Sequence, residues 1–246
     1  MKADPQAQRR LLDLQALDTQ LAQLAHRRRT LPEYAELERL SRELSGFEDE
    51  RVRAQTGVDD LDRDIARIER DVDQVRVRQA RDQARLDAGT GPAKELEATI
   101  QELGSLKRRQ TELEDDQLEL MERREQAQAS VDAVQAKLAE ITQAHAAATQ
   151  RRDETLTAIG KDEEFRQAGR RPLAADLPTD LIALYERIRE QTGGVGAALL
   201  RAGRCEGCRL ELSGSERAAV RAAAPDEVIR HEECRRILVR TPESGL

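Results

Sequence analysis

The stretches "CEGC" (205–208) and "HEEC" (231–234) hold all three cysteines of the chain and one of its three histidines. Zinc prefers thiolate and imidazole donors in a tetrahedral shell, and two corners spaced like C-x-x-C each supply two of them from a tight turn. Cys205, Cys208, His231 and Cys234 therefore read as one Cys3His site for a single Zn2+ ion. Four protein ligands leave no open coordination position, so the expected metal is structural. Two other readings use the same residues. They could be three free thiols beside a surface histidine, or a redox C-x-x-C, although no βαβ context suits a thioredoxin-like fold. An odd number of thiols fits a reducing compartment better than a disulfide scaffold.

The elements that must carry these corners are short. "AALLRAGR" approaches the first and "RLELS" leaves it, which suits two strands around a knuckle. "SGSERAAVRAAAP" reads as a helix, with Ser213 and Glu216 at capping-box spacing. "EVIR" leads into the second corner and "RILVR" leaves it as a strand with alternating faces. Residues 195–246 thus form a small α+β zinc-ribbon domain with few large apolar side chains. Metal binding is expected to supply about 10 kcal/mol of its folding free energy. Residues 169–194 read as a linker and a short helix. "GRRPLAADLPTD" carries two prolines and a glycine, Thr179 or Asp180 can cap the helix, and "TGG" at Thr192–Gly194 ends it.

The rest of the chain is a different material. Charged residues make up 36% of the sequence and aromatics 2%, with no Trp, which argues against one large globular core. Steps of three and four from Leu37 to Leu86 meet apolar residues at twelve of fifteen positions, a coiled-coil period. After "AGTGP" (Ala88–Pro92) the period resumes at Leu96 and runs, more loosely, to Ile159. Val75 with Leu106, Ile68 with Leu113, Leu61 with Leu120 and Leu40 with Ile141 all have numbers summing to 181. That relation belongs to two arms folded back on each other. The fold class is therefore mainly α: residues 1–168 form a long antiparallel coiled-coil hairpin, with a bend near 30–32 and a turn near 88–92. Its longer arm would approach ~100 Å at ~1.5 Å per residue. Parallel dimerisation is the competing arrangement, so monomer and homodimer both stand. Thr30 and Glu33, around Pro32, have capping-box spacing for the helix after the bend.

The chain resembles a bacterial C4-type zinc-ribbon family in which a long coiled-coil hairpin precedes a C-terminal zinc ribbon. The resemblance rests on "AKELEATIQELGSLKRRQTELED" after the turn, "LIALYERIR" before the ribbon, and "CEGCRLEL…HEECRRILVR". It covers nearly the whole length. The family pattern has Cys-x-x-Cys-Gly at the second knuckle, where this chain has His231 in place of a cysteine and Arg235 in place of the glycine. The first change keeps a ligand, and the second removes a residue suited to a positive φ, which bears on metal affinity. The resemblance implies a binding or adaptor protein and no enzyme activity.

These readings set the functional expectations. The first is a non-enzymatic adaptor that binds protein partners through the rod, its tip or the ribbon, the candidate tip residues being Gly89, Gly91, Lys94 and Glu95. The second is RNA or DNA binding through Arg201, Arg204, Arg209, Arg235, Arg236 and Arg240 around the knuckles. Against it, residues 195–246 hold nine Arg and eight Asp or Glu, and no aromatic for base stacking. The formal net charge of −7 gives no general attraction to nucleic acid or anionic membrane. An enzyme would need a P-loop, a nucleophile–base pair or a metal with a vacancy, and the sequence has none of these patterns, so no catalytic residue is expected. Without an apolar run of spanning length or a signal-peptide pattern, a soluble cytoplasmic protein without membrane insertion is expected.

Overall fold

Asp4 begins the first helix, α1 (Pro5–Arg29), by accepting bonds from the amides of Gln6 and Ala7. The helix stops at the expected bend. Thr30, however, serves the helix behind it: its hydroxyl donates to the His26 carbonyl at 3.0 Å. The next helix, α2 (Pro32–Asp87), starts on Pro32 without a side-chain cap from Thr30. A proline in a first turn loses no intrahelical bond, since its missing N–H would be unpaired there anyway. The turn at 88–92 follows, with Gly89 and Gly91 at φ +60° and +140°, and then α3 (Ala93–Ala175). The structure, a computed structural model, describes residues 1–245. It divides into two compact units, Ala35–Thr149 and a second made of Met1–Tyr34 with the chain from Gln150 onward.

In the first unit, α2 and α3 meet along the predicted seam. Leu37, Leu40, Val58 and Val72 are buried from one side, and Leu103, Leu113, Val131, Val134 and Ala148 from the other. Polar pairs flank the seam: Ser41 Oγ to His145 Nε2 at 3.3 Å, Asp62 to Arg124 at 3.0 Å and Glu69 to Gln117 at 3.3 Å. The numbers in each of these pairs sum to 186. In each pair one residue lies one place after a seam position and its partner lies four places after the facing one. The flanking sum is thus five above the core sum of 181, and the register read from the sequence is the register found. His145 is accordingly a half-buried interfacial residue.

The second unit holds α1, the end of α3, a helix α4 (Thr179–Gln191), and all the strands. The segment read as a linker from residue 169 is still helical as far as Ala175, with Pro172 inside the helix. Pro178 occupies the N-cap of α4, and neither Thr179 nor Asp180 caps it. A four-stranded sheet has the order β2-β1-β4-β3, with β1 Ala197–Arg201, β2 Arg204–Cys205, β3 Ile229–Arg230 and β4 Ile237–Val239. The central pair β1 and β4 is parallel, which is why both faces must be covered. On one face Ala197, Ile237 and Val239 pack with Leu11, Leu14, Leu181, Tyr185 and Ile188 of α1 and α4. On the other, Ala198, Leu200 and Leu238 pack with Cys205, Leu212 and Val220, the last from helix α5 (Gly214–Ala222). The strand expected in "RLELS" is reduced to a single bridge from Glu211 to Arg204.

A buried polar cluster locks α1, α3 and α4 of this unit together. Arg170 grips Asp18 with two bonds, Nε to Oδ1 at 2.6 Å and Nη2 to Oδ2 at 3.1 Å, and also meets Glu186. The Tyr185 hydroxyl donates to Asp18 Oδ2 at 2.7 Å. Burial pushes the Tyr185 hydroxyl pKa up, and the bond to Asp18 adds to that; the bond to Asp18 also pushes Arg170 up. Gln15 extends the cluster to the strand entry, accepting from Gly196 N at 2.7 Å and donating to Gly194 O at 3.0 Å.

Candidate metal centre

The two corners are built alike. In each, the first ligand's carbonyl accepts from the amide four residues on: Arg209 N to Cys205 O at 2.7 Å, and Arg235 N to His231 O at 2.9 Å. In each, the first ligand's own amide donates to the carbonyl five residues on, Cys205 to Leu210 and His231 to Arg236, both at 3.0 Å. The residue after the second ligand is left-handed in both, with φ +64° at Arg209 and +65° at Arg235. His231 thus stands where Cys205 stands in the other knuckle. Gly207 passes too close to its surroundings for a side chain, since a Cβ there would lie 2.9 Å from that of Ala198.

The corners bring the four predicted ligands together. One donor atom from each of Cys205, Cys208, His231 and Cys234 falls within 4.8 Å of the others. Cys205 Sγ lies 3.9 Å from Cys234 Sγ, and His231 Nδ1 lies 3.3 Å from Cys208 Sγ and 3.1 Å from Cys234 Sγ. A zinc ion with bonds of ~2.3 Å to sulfur and ~2.0 Å to nitrogen needs donors about this far apart. Cys205 and His231 are fully buried. Burial pushes the Cys205 thiol up to about 12. At Cys234 burial also raises the pKa, but hydrogen bonds from the Arg236 backbone and His231 outweigh it and hold the thiol at about 7. A divalent cation would relieve the cost of burying these sulfurs as thiolates. The donor set, spacing and burial fit one structural zinc ion.

The left-handed backbone at Arg235 strains a side-chain-bearing residue by about 1–2 kcal/mol. Arg235→Gly is therefore expected to raise zinc affinity in chelator competition about three- to fivefold, after allowance for glycine's own chain entropy. Arg235→Ala keeps the strain and should leave affinity unchanged.

The six candidate phosphate-contacting arginines divide into three kinds. Arg201 pairs with Glu243 at 2.8 Å, and Arg204 with Glu211 at 3.4 Å. Arg236 donates to the carbonyls of Val195 and Thr192, and Arg240 to those of Ala223, Ala224 and Glu227, so both guanidiniums tie loops to the sheet. Arg209 and Arg235 are exposed, and their side chains pair with none of the described residues. At the hairpin turn, Gly89, Gly91, Lys94 and Glu95 are all exposed, and Glu95 accepts a bond from Arg85 at 2.8 Å across the turn.

Sequence reasoning missed one neighbour of the centre. In the sequence, Glu216 stands at capping-box spacing from Ser213. Ser213 does cap α5, accepting from the Glu216 amide at 3.1 Å, but the Glu216 carboxylate turns inward, accepts from Glu232 N at 2.8 Å and lies 3.7 Å from His231 Nε2. An acid three residues past a Ser serves either purpose, and only the fold brings His231 beside it.

Comparison with known proteins agrees with this architecture. The family model of the CT398-like coiled coil hairpin domain matches residues 14–193, and that of the C4-type zinc ribbon domain matches residues 204–238. The chain is 40% identical over 240 residues to Uncharacterized protein Rv2229c of Mycobacterium tuberculosis, covering 98% of both. A solved Mycobacterium smegmatis structure superposes with a TM-score of 0.86 at 35% identity, covering 98% of this chain and 100% of that one. CT398 from Chlamydia trachomatis shares the fold, with a TM-score of 0.66 at 18% identity over 95% and 97% of the two chains. No helix among the described residues is long and apolar enough to cross a membrane. With matches across both of its parts, the chain belongs to the CT398-like coiled coil hairpin family and carries that hairpin together with a C4-type zinc ribbon whose third ligand position is a histidine.

Proposed function

We propose that this protein is a non-enzymatic, cytoplasmic adaptor that binds protein partners through the hairpin turn and the knuckle surface, with zinc holding the knuckles in shape. The observation that carries this reading is the closed donor set: four side chains placed to hold one ion would leave no position on it for a substrate or a reactive water. The exposed turn residues and the exposed knuckle arginines supply the contact surfaces. The test is a pull-down with the full chain, nuclease-treated, beside Lys94→Glu and Arg209→Glu variants. A partner protein held by the wild type and lost with either variant supports the reading. Equal capture by all three, or none by the wild type, contradicts it.

One observation favours nucleic-acid binding as a second reading: Arg209 and Arg235 project unpaired from equivalent positions of the two knuckles. Two phosphate contacts would be weak and strongly salt-dependent. A gel shift with the full chain on single- and double-stranded RNA and DNA decides, and no shift at low ionic strength removes this reading.

A further inference from the structure

His231 presents a problem that a fourth cysteine would not. Its Nδ1 faces the sulfurs, so in the neutral ligating form its Nε2 must carry the proton. His231 is fully buried, and Nε2 makes no hydrogen bond to any of the described residues. A buried N–H without an acceptor is costly. The group lying against it is the Glu216 carboxylate, itself 5% exposed, with Oε2 at 3.7 Å, about half an ångström or more beyond an ordinary N–H···O bond. The other oxygen of that carboxylate is held by the amide of Glu232, in the same knuckle as His231. A buried acid is thus tethered next to the one ring nitrogen that needs it.

We propose that Glu216 is the positioning residue of the metal centre: it accepts the Nε2 proton of His231, fixes the ring with Nδ1 toward the zinc, and strengthens it as a donor. Carboxylate–histidine–zinc chains work in this way. Charge gives a second reason. Zinc with three thiolates and a neutral imidazole carries one negative charge, whereas four thiolates give two. The Glu216 carboxylate restores the charge that the cysteine-to-histidine exchange removes.

The proposal rests on zinc binding at this site, and its test separates the two. Zinc affinity of the full chain is measured by chelator competition for the wild type, Glu216→Gln, His231→Cys and the double variant. Glutamine keeps one oxygen for the Glu232 amide and turns its NH2 toward Nε2–H, donor against donor, so the fold-stabilising bond is retained. Glu216→Gln is expected to weaken zinc binding about 10- to 100-fold in the wild-type background. In the His231→Cys background, where no N–H needs an acceptor, the same change should have no effect or tighten binding. An equal loss in both backgrounds would make Glu216 merely structural and overturn the proposal, as would no loss in either. Absence of zinc binding by the wild type would overturn the centre itself, and the proposal with it.

Discussion

Cys205→Ser is expected to bring bound zinc from one ion per chain to less than about a tenth, and to open the knuckle face of its unit. The reason lies in what would remain. The cluster around the centre is small, Ala198, Leu200, Leu212, Val220 and Leu238 besides the cysteine itself, and it is fastened on both sides by metal ligands. The opposite face of the same sheet is packed by Leu11, Leu14, Leu181, Tyr185 and Ile188, and none of these depends on the ion. Removing the metal should therefore not unfold the whole unit. Hydrogen exchange should show amides of residues 203–236 losing protection while α1, α4 and the Ala35–Thr149 hairpin keep theirs. Full protection of the knuckles in the variant would show that packing alone holds them.

Asp18→Ala should destabilise the same unit by about 2–3 kcal/mol, because charge-assisted bonds from Arg170 are lost although Glu186 still faces its guanidinium. The Asp18 side chain is 3% exposed and that of Arg170 16%, and Tyr185 loses its acceptor at the same stroke. The comparison is Asp62→Ala, which removes an ion pair with Arg124 whose members are 50% and 40% exposed. Such pairs contribute less than about 1 kcal/mol. Tyrosine fluorescence reads the Asp18 variant, because both tyrosines of the chain, Tyr34 and Tyr185, lie in the unit that Asp18 belongs to, and far-ultraviolet circular dichroism reads Asp62→Ala in the helical hairpin unit. Urea unfolding followed by the tyrosine signal should shift markedly for Asp18→Ala. A shift no larger than about 1 kcal/mol would mean the cluster is ornamental to stability.

The hairpin was legible in the sequence down to its register, because a two-helix seam is a local, periodic signal repeated many times. The pairs Ser41–His145, Asp62–Arg124 and Glu69–Gln117 keep that register along the arms. The four ligands were legible because their chemistry and spacing are restrictive. What could not be read was the role of α1. Its leucines at 14, 17, 21 and 24 are spaced by three and four, in a different phase from the seam that starts at Leu37, yet the residues it buries most fully include Gln8, Gln15 and Asp18, which serve partners up to 217 residues away. A buried polar side chain looks in sequence like an exposed one, and only the tertiary partner tells them apart. Arg235 shows the converse. Arginine there replaces a residue suited to a positive φ, but the bonds that bracket Arg235 are repeated around Arg209, and the backbone takes the left-handed conformation with arginine at both positions.

The most direct measurement is metal content and coordination together: elemental analysis and zinc X-ray absorption on full-length protein purified without chelators. One zinc ion per chain, with three sulfur neighbours and one nitrogen, is the predicted result. A chain without zinc, or with an oxygen from water in place of the imidazole nitrogen, would contradict the closed structural centre proposed for Cys205, Cys208, His231 and Cys234.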